Sequence, residues 1–485
     1  MKEAPSMPLD LRRRLRRRIL RTFAIGIPIV MVLCFFKWRA DDRHAWVREI
    51  PGALPPVEQS EHALMPEEME AFWARMPSLT NAPVHAYYLF QCKGLDALDE
   101  ASLSQLQERM GDSYSNVVSY RRLLETHTGF STNTLGEATN IRFAANCREW
   151  SIWLMVAMRA DEGGFAPADR GISAAQHLRL LTSGIGISGR AVALEIVMMH
   201  VRETIMESIE AQAYSRETAR RLIEGFRLAE DPAYLRPLEE ALAIDCAGLL
   251  QNAEQDIYPQ LLSEKARAIN EGSGAAPVYS NFQISGFTAW LMRKLGANIE
   301  ETRAHVTALF SVLAYNAKQP YSQMGLLTGL PPWCRGEKRM PWTRDPVGTF
   351  LAEGFLRHAR YGAAIEPNIR LETRVARAAV ALRIWKDCHN GQYPESLSEL
   401  FEGEEALLKR EDVTDPFSPS SALLRYSRDG ENGWRIWSIG LDQEDDNGLQ
   451  DAMTAKDRKD RQKSDFIFTS NERMLRAAAM DQEKR

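Results

Sequence analysis

The chain has 485 residues, 45% of them hydrophobic, and a net charge of −5; it is long enough for two or three domains, and its composition is that of a globular protein. Residues 1–21 carry +6, so the remainder sums to −11. That acidic body excludes nucleic acid as a partner.

Six arginines at 12–14 and 16–18, then Arg21, precede an apolar run from Thr22 to Phe36, with Lys37 and Trp38 beyond it. As a helix at about 1.5 Å per residue, and with Arg21 and Lys37 reaching back to the headgroups, the segment 19–38 is close to the ~20 residues that cross a bilayer. Arginine resists translocation, so residues 1–18 are expected in the cytoplasm and the body outside it, anchored in a bacterial inner membrane and facing the periplasm. A cleaved signal peptide would need a small-x-small site, and the chain instead continues FFKWRADD. A tether, 39–62, follows, with prolines at 51, 55 and 56.

From 63 to 365 the pattern is helical. Apolar residues recur at three- and four-residue intervals in 99–127, 141–161, 165–183, 188–214 and 215–230. Ser215, followed by Glu217, reads as a capped helix start. Short connections predict antiparallel hairpins in a repeat-like body, although no exact period is present. The segments 272–281 and 325–346 are rich in Gly and Pro and read as loops; the second holds Trp333 and Trp342.

At about Leu371 the character changes. A helix runs to near His389, with Asn390–Gly391 as its cap. Two short β-like runs, LLRYSR and WRIWSIG, flank a turn at Asp429–Gly433. A charged tail occupies 471–485. The expected fold class is mainly α, with a small α+β module at 366–470.

Cysteines stand at 34, 92, 147, 246, 334 and 388, with no C-x-x-C pair, so neither a zinc ribbon nor a thioredoxin-like site is indicated. Gly184, Gly186 and Gly189 form a G-x-G-x-x-G. A dinucleotide site needs a strand before these glycines, and the preceding AAQHLRLLTS is helical in pattern; a turn between packed helices is expected instead. His200, Glu203 and Glu207 share one helical face, with Glu195 nearby. A carboxylate-bridged metal site would need a second Glu-x-x-His, so a polar helix face is expected. No G-x-S-x-G, H-E-x-x-H or P-loop occurs.

The C-terminal residues combine Gly391-Gln-Tyr393-Pro394, Asp415-Pro416-Phe417, Arg425-Tyr426, Ser438-Ile439-Gly440-Leu-Asp442 and a closing Asp465-Phe-Ile-Phe. In this order they resemble the soluble module of type II secretion pseudopilins. In that family a helix leads to G-x-Y-P, then D-P-[FW]-G, a β-hairpin and an acidic S-x-G-x-D loop. The same module resembles the ends of single-anchor envelope proteins of planctomycete and verrucomicrobial type, in which a segment similar to LLTSGIGISGRAVALE (180–195) precedes it. The processed leader and the early membrane-helix Glu of pseudopilins are absent here, which argues against polymerisation as a pilin. The resemblance implies calcium in the acidic loop, with Asp442, Asp445, Asp446 and Asp465 as ligands. The competing reading is a solvated acidic turn, neutralised by five basic residues between 456 and 463.

With no catalytic motif in view, the chain is expected to be a non-enzymatic, envelope-facing interaction or scaffold protein with protein partners in the envelope. The alternatives are an accessory component of a type II secretion or pilus-like system, and a hydrolase built on the acidic loop and the 325–346 loop.

Overall fold

The computed structural model describes residues 53–56, 63–64, 68, 71, 100–130, 137–160, 166–183, 185–209, 214–258, 298–328, 330, 346–402, 406–429, 433–448 and 465–470. The basic tail, the anchor at 19–38, the loop 272–281, Trp333, Trp342 and the charged tail lie outside them. Among the described residues no helix is long and apolar enough to cross a membrane.

The elements in chain order are β1 (Ala63–Leu64), α1 (Glu100–Thr126), β2 (Gly129–Phe130), α2 (Glu137–Ala160), α3 (Arg170–Thr182), α4 (Ile187–Ile209), α5 (Arg216–Leu228), α6 (Leu238–Asn252), α7 (Ile299–Ala317), α8 (Pro346–Cys388), β3 (Arg425–Asp429), β4 (Gly433–Ser438) and β5 (Phe466–Thr469). The protein is mainly helical, with one three-stranded antiparallel sheet in the order β3-β4-β5. β1 and β2 form a two-residue parallel pair.

Local chemistry accounts for the helices. In α5, Ala219, Leu222, Ile223 and Phe226 are buried, the three- and four-residue spacing of an inward stripe. Ser215 caps this helix, its Oγ accepting the Thr218 N–H at 3.0 Å. α3 and α5 cross at Gly171 and Gly225. A Cβ on Gly171 would stand 2.5 Å from the Phe226 nitrogen, and one on Gly225 would stand 2.7 Å from the Ile172 nitrogen. The two backbones touch because neither residue has a side chain.

α8 is the spine of the molecule. It spans 43 residues and carries Pro367 in its interior, so the expected boundary at 365/366 falls inside a continuous helix. Proline removes one helical hydrogen bond and crowds the preceding turn. Packing against α4, α5 and α7 holds the helix through that defect. Glu366, the residue before the proline, receives Arg190 at 3.1 Å and Arg370 at 3.0 Å. The helix ends as expected: the Gly391 N–H reaches back to the Lys386 carbonyl at 2.9 Å, with Asn390 and Gly391 at φ 54° and 82°.

The C-terminal half of α8 carries the small module. β3 pairs antiparallel with β4, Asp429 opposite Gly433, the expected turn residues 430–432 lying outside the described residues; β5 pairs antiparallel with β4, Ser438 opposite Phe466. One hydrophobic core runs from Tyr120 in α1 to Trp434 and Ile439 in the module. An ionic joint reinforces this seat. Arg377 of α8 binds Glu230, just after α5, and Asp412, ahead of the sheet. Arg227 of α5 also binds Asp412, through Nε at 3.1 Å. Arg374 holds Glu230 at 2.7 Å and donates to the Thr414 carbonyl at 2.6 Å. Burial opposes charge on Glu230 and Asp412, yet the arginines hold both carboxyls below their usual range.

Candidate functional site

The acidic loop follows β4. Its base is fixed by Asp415, a residue of the D-P-F motif that is 1% exposed. One Asp415 oxygen accepts the Ser438 hydroxyl at 2.8 Å and the Phe417 N–H at 2.9 Å. The other accepts the Ile439 N–H at 3.0 Å. Two motifs read separately in the sequence are therefore the halves of one buried contact. Burial raises the Asp415 pKa, and its three donors oppose that rise.

Of the four expected ligands, Asp445 and Asp446 stand near enough to Asp465 to act on its charge. Asp465, at the start of β5, is fully buried. Its Oδ2 accepts the Gly448 N–H at 2.9 Å. Burial pushes its carboxyl up to about 6, with Asp445 and Asp446 adding to the rise and the Asp446 backbone opposing it. Its Oδ1 makes no hydrogen bond of ordinary geometry among the described residues.

Asp445 is differently placed. It accepts the Trp437 indole N–H at 3.1 Å, the Arg425 Nε at 2.9 Å and the Asn447 N–H at 2.9 Å. Partial loss of water opposes its ionisation, but these donors hold its carboxyl below the usual range. Asp442 turns to the backbone, accepting the Glu444 N–H at 3.2 Å. Asp465 thus has the open oxygen, whereas Asp445 would have to give up Arg425 and Trp437 to serve a cation. Among the described residues no group of three or more His, Cys, Asp or Glu is arranged to hold a metal ion.

The face of α4 that carries His200 is the polar face expected, and it is buried at His200 and Glu203. His200 and Glu203 are 0% and 1% exposed. Glu195 alone of that set is open to solvent, where it pairs with Arg148 at 2.8 Å. The physical reason is that α2 and α3 cover this face with polar groups of their own. His200 Nε2 lies 3.3 Å from the Ser151 hydroxyl and 3.4 Å from that of Ser173. A second histidine, His177 of α3, has its ring 5.9 Å from that of His200. His177 Nδ1 meets the Ser173 carbonyl at 2.7 Å and Nε2 meets the Tyr120 hydroxyl at 2.8 Å. A carbonyl only accepts, so Nδ1 carries the proton and Nε2 accepts from the tyrosine. Arg170, fully buried, clamps Glu207 with two nitrogens, and the Tyr214 hydroxyl adds a third donor at 3.1 Å.

Burial sets the protonation states in this cluster. It lowers His177 to about 4, and it holds His200 well below its ordinary value, helped by His177 and Arg170. It raises the Cys147 thiol and the Tyr120 hydroxyl. The imidazoles are therefore neutral and the thiol is protonated. The sequence reading missed His177, since only the fold sets it beside a residue 23 positions away.

Of the G-x-G-x-x-G segment, Gly184 lies outside the described residues, Gly186 stands between α3 and α4, and Gly189 is in the first turn of α4. Asp245 of α6 accepts the Ile187 N–H at 3.0 Å, so the chain's own carboxylate sits where a phosphate would meet the helix N-terminus. A Cβ on Gly186 would fall 1.8 Å from Asp245 Oδ1, and one on Gly189 would fall 2.4 Å from the Leu181 carbonyl. Close packing accounts for both glycines.

Comparisons with protein-family models, with curated proteins and with solved structures find no match to this chain.

Proposed function

We propose that this chain is a membrane-anchored scaffold protein whose body faces the periplasm and presents a rigid surface to envelope partners. The observation that carries this reading is the ionic joint between module and body. Arg377 spans Glu230 and Asp412, and one core continues through the contact. Arginine clamps of this kind fix orientation, and a module held at a fixed angle to a long helical body suits a docking platform. The buried His177–His200 cluster, in which His177 bonds Ser173 and Tyr120, is consistent with a structural role for the polar core.

Crosslinking in intact membranes, followed by co-purification, tests the proposal. The expected result is recovery of stoichiometric envelope proteins, and recovery of none would overturn it. Alkaline carbonate extraction tests the anchor; release of the intact protein would remove the membrane part of the reading.

A second reading, an accessory component of a type II secretion or pilus-like system, is favoured by the contact of Asp415 with Ser438 and Ile439. It gives the two motifs of the pseudopilin resemblance a common structural purpose. Under this reading Asp465 and its acidic neighbours take calcium. Secretion components among the crosslinked partners would favour it over the general scaffold.

A further inference from the structure

Where α8 ends, a cavity of about 290 Å³ lies between its last two turns, Glu399, Leu400, Glu402, Ala406 and Leu407, and Arg216 of α5. We propose that it binds a small organic cation: an ammonium or quaternary ammonium group on an aryl or short alkyl body. This inference is independent of the scaffold reading.

Its floor is apolar, formed by Ala381, Ile384, Leu400, Leu407 and the Trp385 indole. Such a floor suits the ligand body, and an indole is the aromatic ring that attracts a cation best. Trp385 is held in place. The His389 ring stacks on it at 3.8 Å between centroids and 7° between planes, and His389 Nδ1 donates to the Trp385 carbonyl at 2.9 Å. A preorganised wall lowers the entropy lost on binding.

The charge in the lining selects the sign of the ligand. Glu399 is fixed through one oxygen, which accepts the Glu395 and Ser396 N–H groups at 2.8 and 2.9 Å. Its second oxygen has no ion pair among the described residues. Glu402 is exposed, and it too makes no ion pair among the described residues. Arg216, the cation in the lining, has a partner of its own. The lining thus carries two carboxylates against one guanidinium, whose Nε makes no hydrogen bond of ordinary geometry among the described residues.

Cys388 supplies the reporter, since its thiol is free, exposed and part of the cavity wall. The full-length protein is alkylated with neutral iodoacetamide, and modification of the Cys388 peptide is followed by mass spectrometry. Millimolar benzyltrimethylammonium should slow the reaction saturably, while benzoate of similar size should not. Glu402→Gln, a substitution at an exposed position, should weaken protection about threefold, the loss of roughly 0.65 kcal/mol. Unchanged alkylation at every concentration of the cation would overturn the proposal. So would equal protection by benzoate, or undiminished protection in Glu402→Gln.

Discussion

Asp415 and Ser438 stand 23 residues apart in sequence, yet the serine hydroxyl donates to the aspartate at 2.8 Å inside the core. The same carboxylate accepts two backbone N–H groups, from Phe417 and Ile439. It therefore ties the segment before β3 to the end of β4 and sets where the acidic loop begins.

Removing that carboxylate strands three buried donors. A buried polar group without a partner costs about 1–3 kcal/mol. With partial relaxation, Asp415→Ala should lose about 3 kcal/mol, read as a lower midpoint in urea. Asp415→Asn keeps one acceptor and should lose less. A wild-type midpoint for Asp415→Ala would show that the contact contributes nothing.

The joint at Arg377 makes a different demand. Replacing it leaves Glu230 and Asp412 each short of a counter-charge in a buried setting, which typically costs about 3–5 kcal/mol. Arg374 and Arg227 still serve one carboxylate each, so Arg377→Met should fall near the lower end. A Glu230→Gln, Arg377→Met cycle measured by denaturation should show coupling well above the ~0.2–1 kcal/mol of exposed ion pairs. Strict additivity would remove the joint from the account.

Much of this organisation is visible in the sequence where local chemistry decides it. The stripe of α5, its Ser215 cap, the Asn390–Gly391 stop and the hairpin at Asp429–Gly433 all depend on residues within a few positions of each other. The unity of α8 is hidden because the change of character at about Leu371 reads as a boundary, whereas tertiary packing carries one helix through Pro367. The pairing of His177 with His200 and the two bridges of Arg377 depend on how helices cross, and no local pattern encodes that. Nor does a polar stripe on one helix disclose that its neighbour supplies matching polar groups, so the sequence shows the His200 face as polar and not that it is buried.

Acid should weaken the fold through the two buried histidines. The His177 pKa is lowered from 6.5 to about 4 by burial, so over that range the unfolded chain binds a proton that the folded chain refuses. Stability therefore rises with pH in this window and is lost as pH falls from about 6.5 towards 4. At about 1.36 kcal/mol per pKa unit, the loss from His177 reaches roughly 3 kcal/mol by the lower limit, and His200 adds to it. In His177→Gln, melting temperature should vary less between pH 6.5 and pH 4 than in wild type. The subtraction separates the histidine from Glu230 and Asp412, whose depressed carboxyls also lose stabilisation in acid. Parallel pH profiles for the two proteins would contradict the neutral buried imidazole.

The acidic loop yields the last prediction, and it must be tested on the full chain, because α8 crosses the sequence boundary expected at 366. Calcium prefers six to eight oxygens and tolerates irregular geometry. Asp465 offers the buried Oδ1, while Asp445 is occupied by Arg425 and Trp437. Cation binding therefore competes with the Arg425 ion pair. If calcium binds, free calcium at about 100 times the dissociation constant adds about 2.7 kcal/mol, and the melting temperature rises with calcium and falls with chelator. Asp465→Asn should abolish the response. Arg425→Gln releases Asp445 and should strengthen it, an outcome opposite to that of a merely structural residue. Identical melts in calcium and chelator, for both wild type and Arg425→Gln, would overturn the calcium reading of this loop.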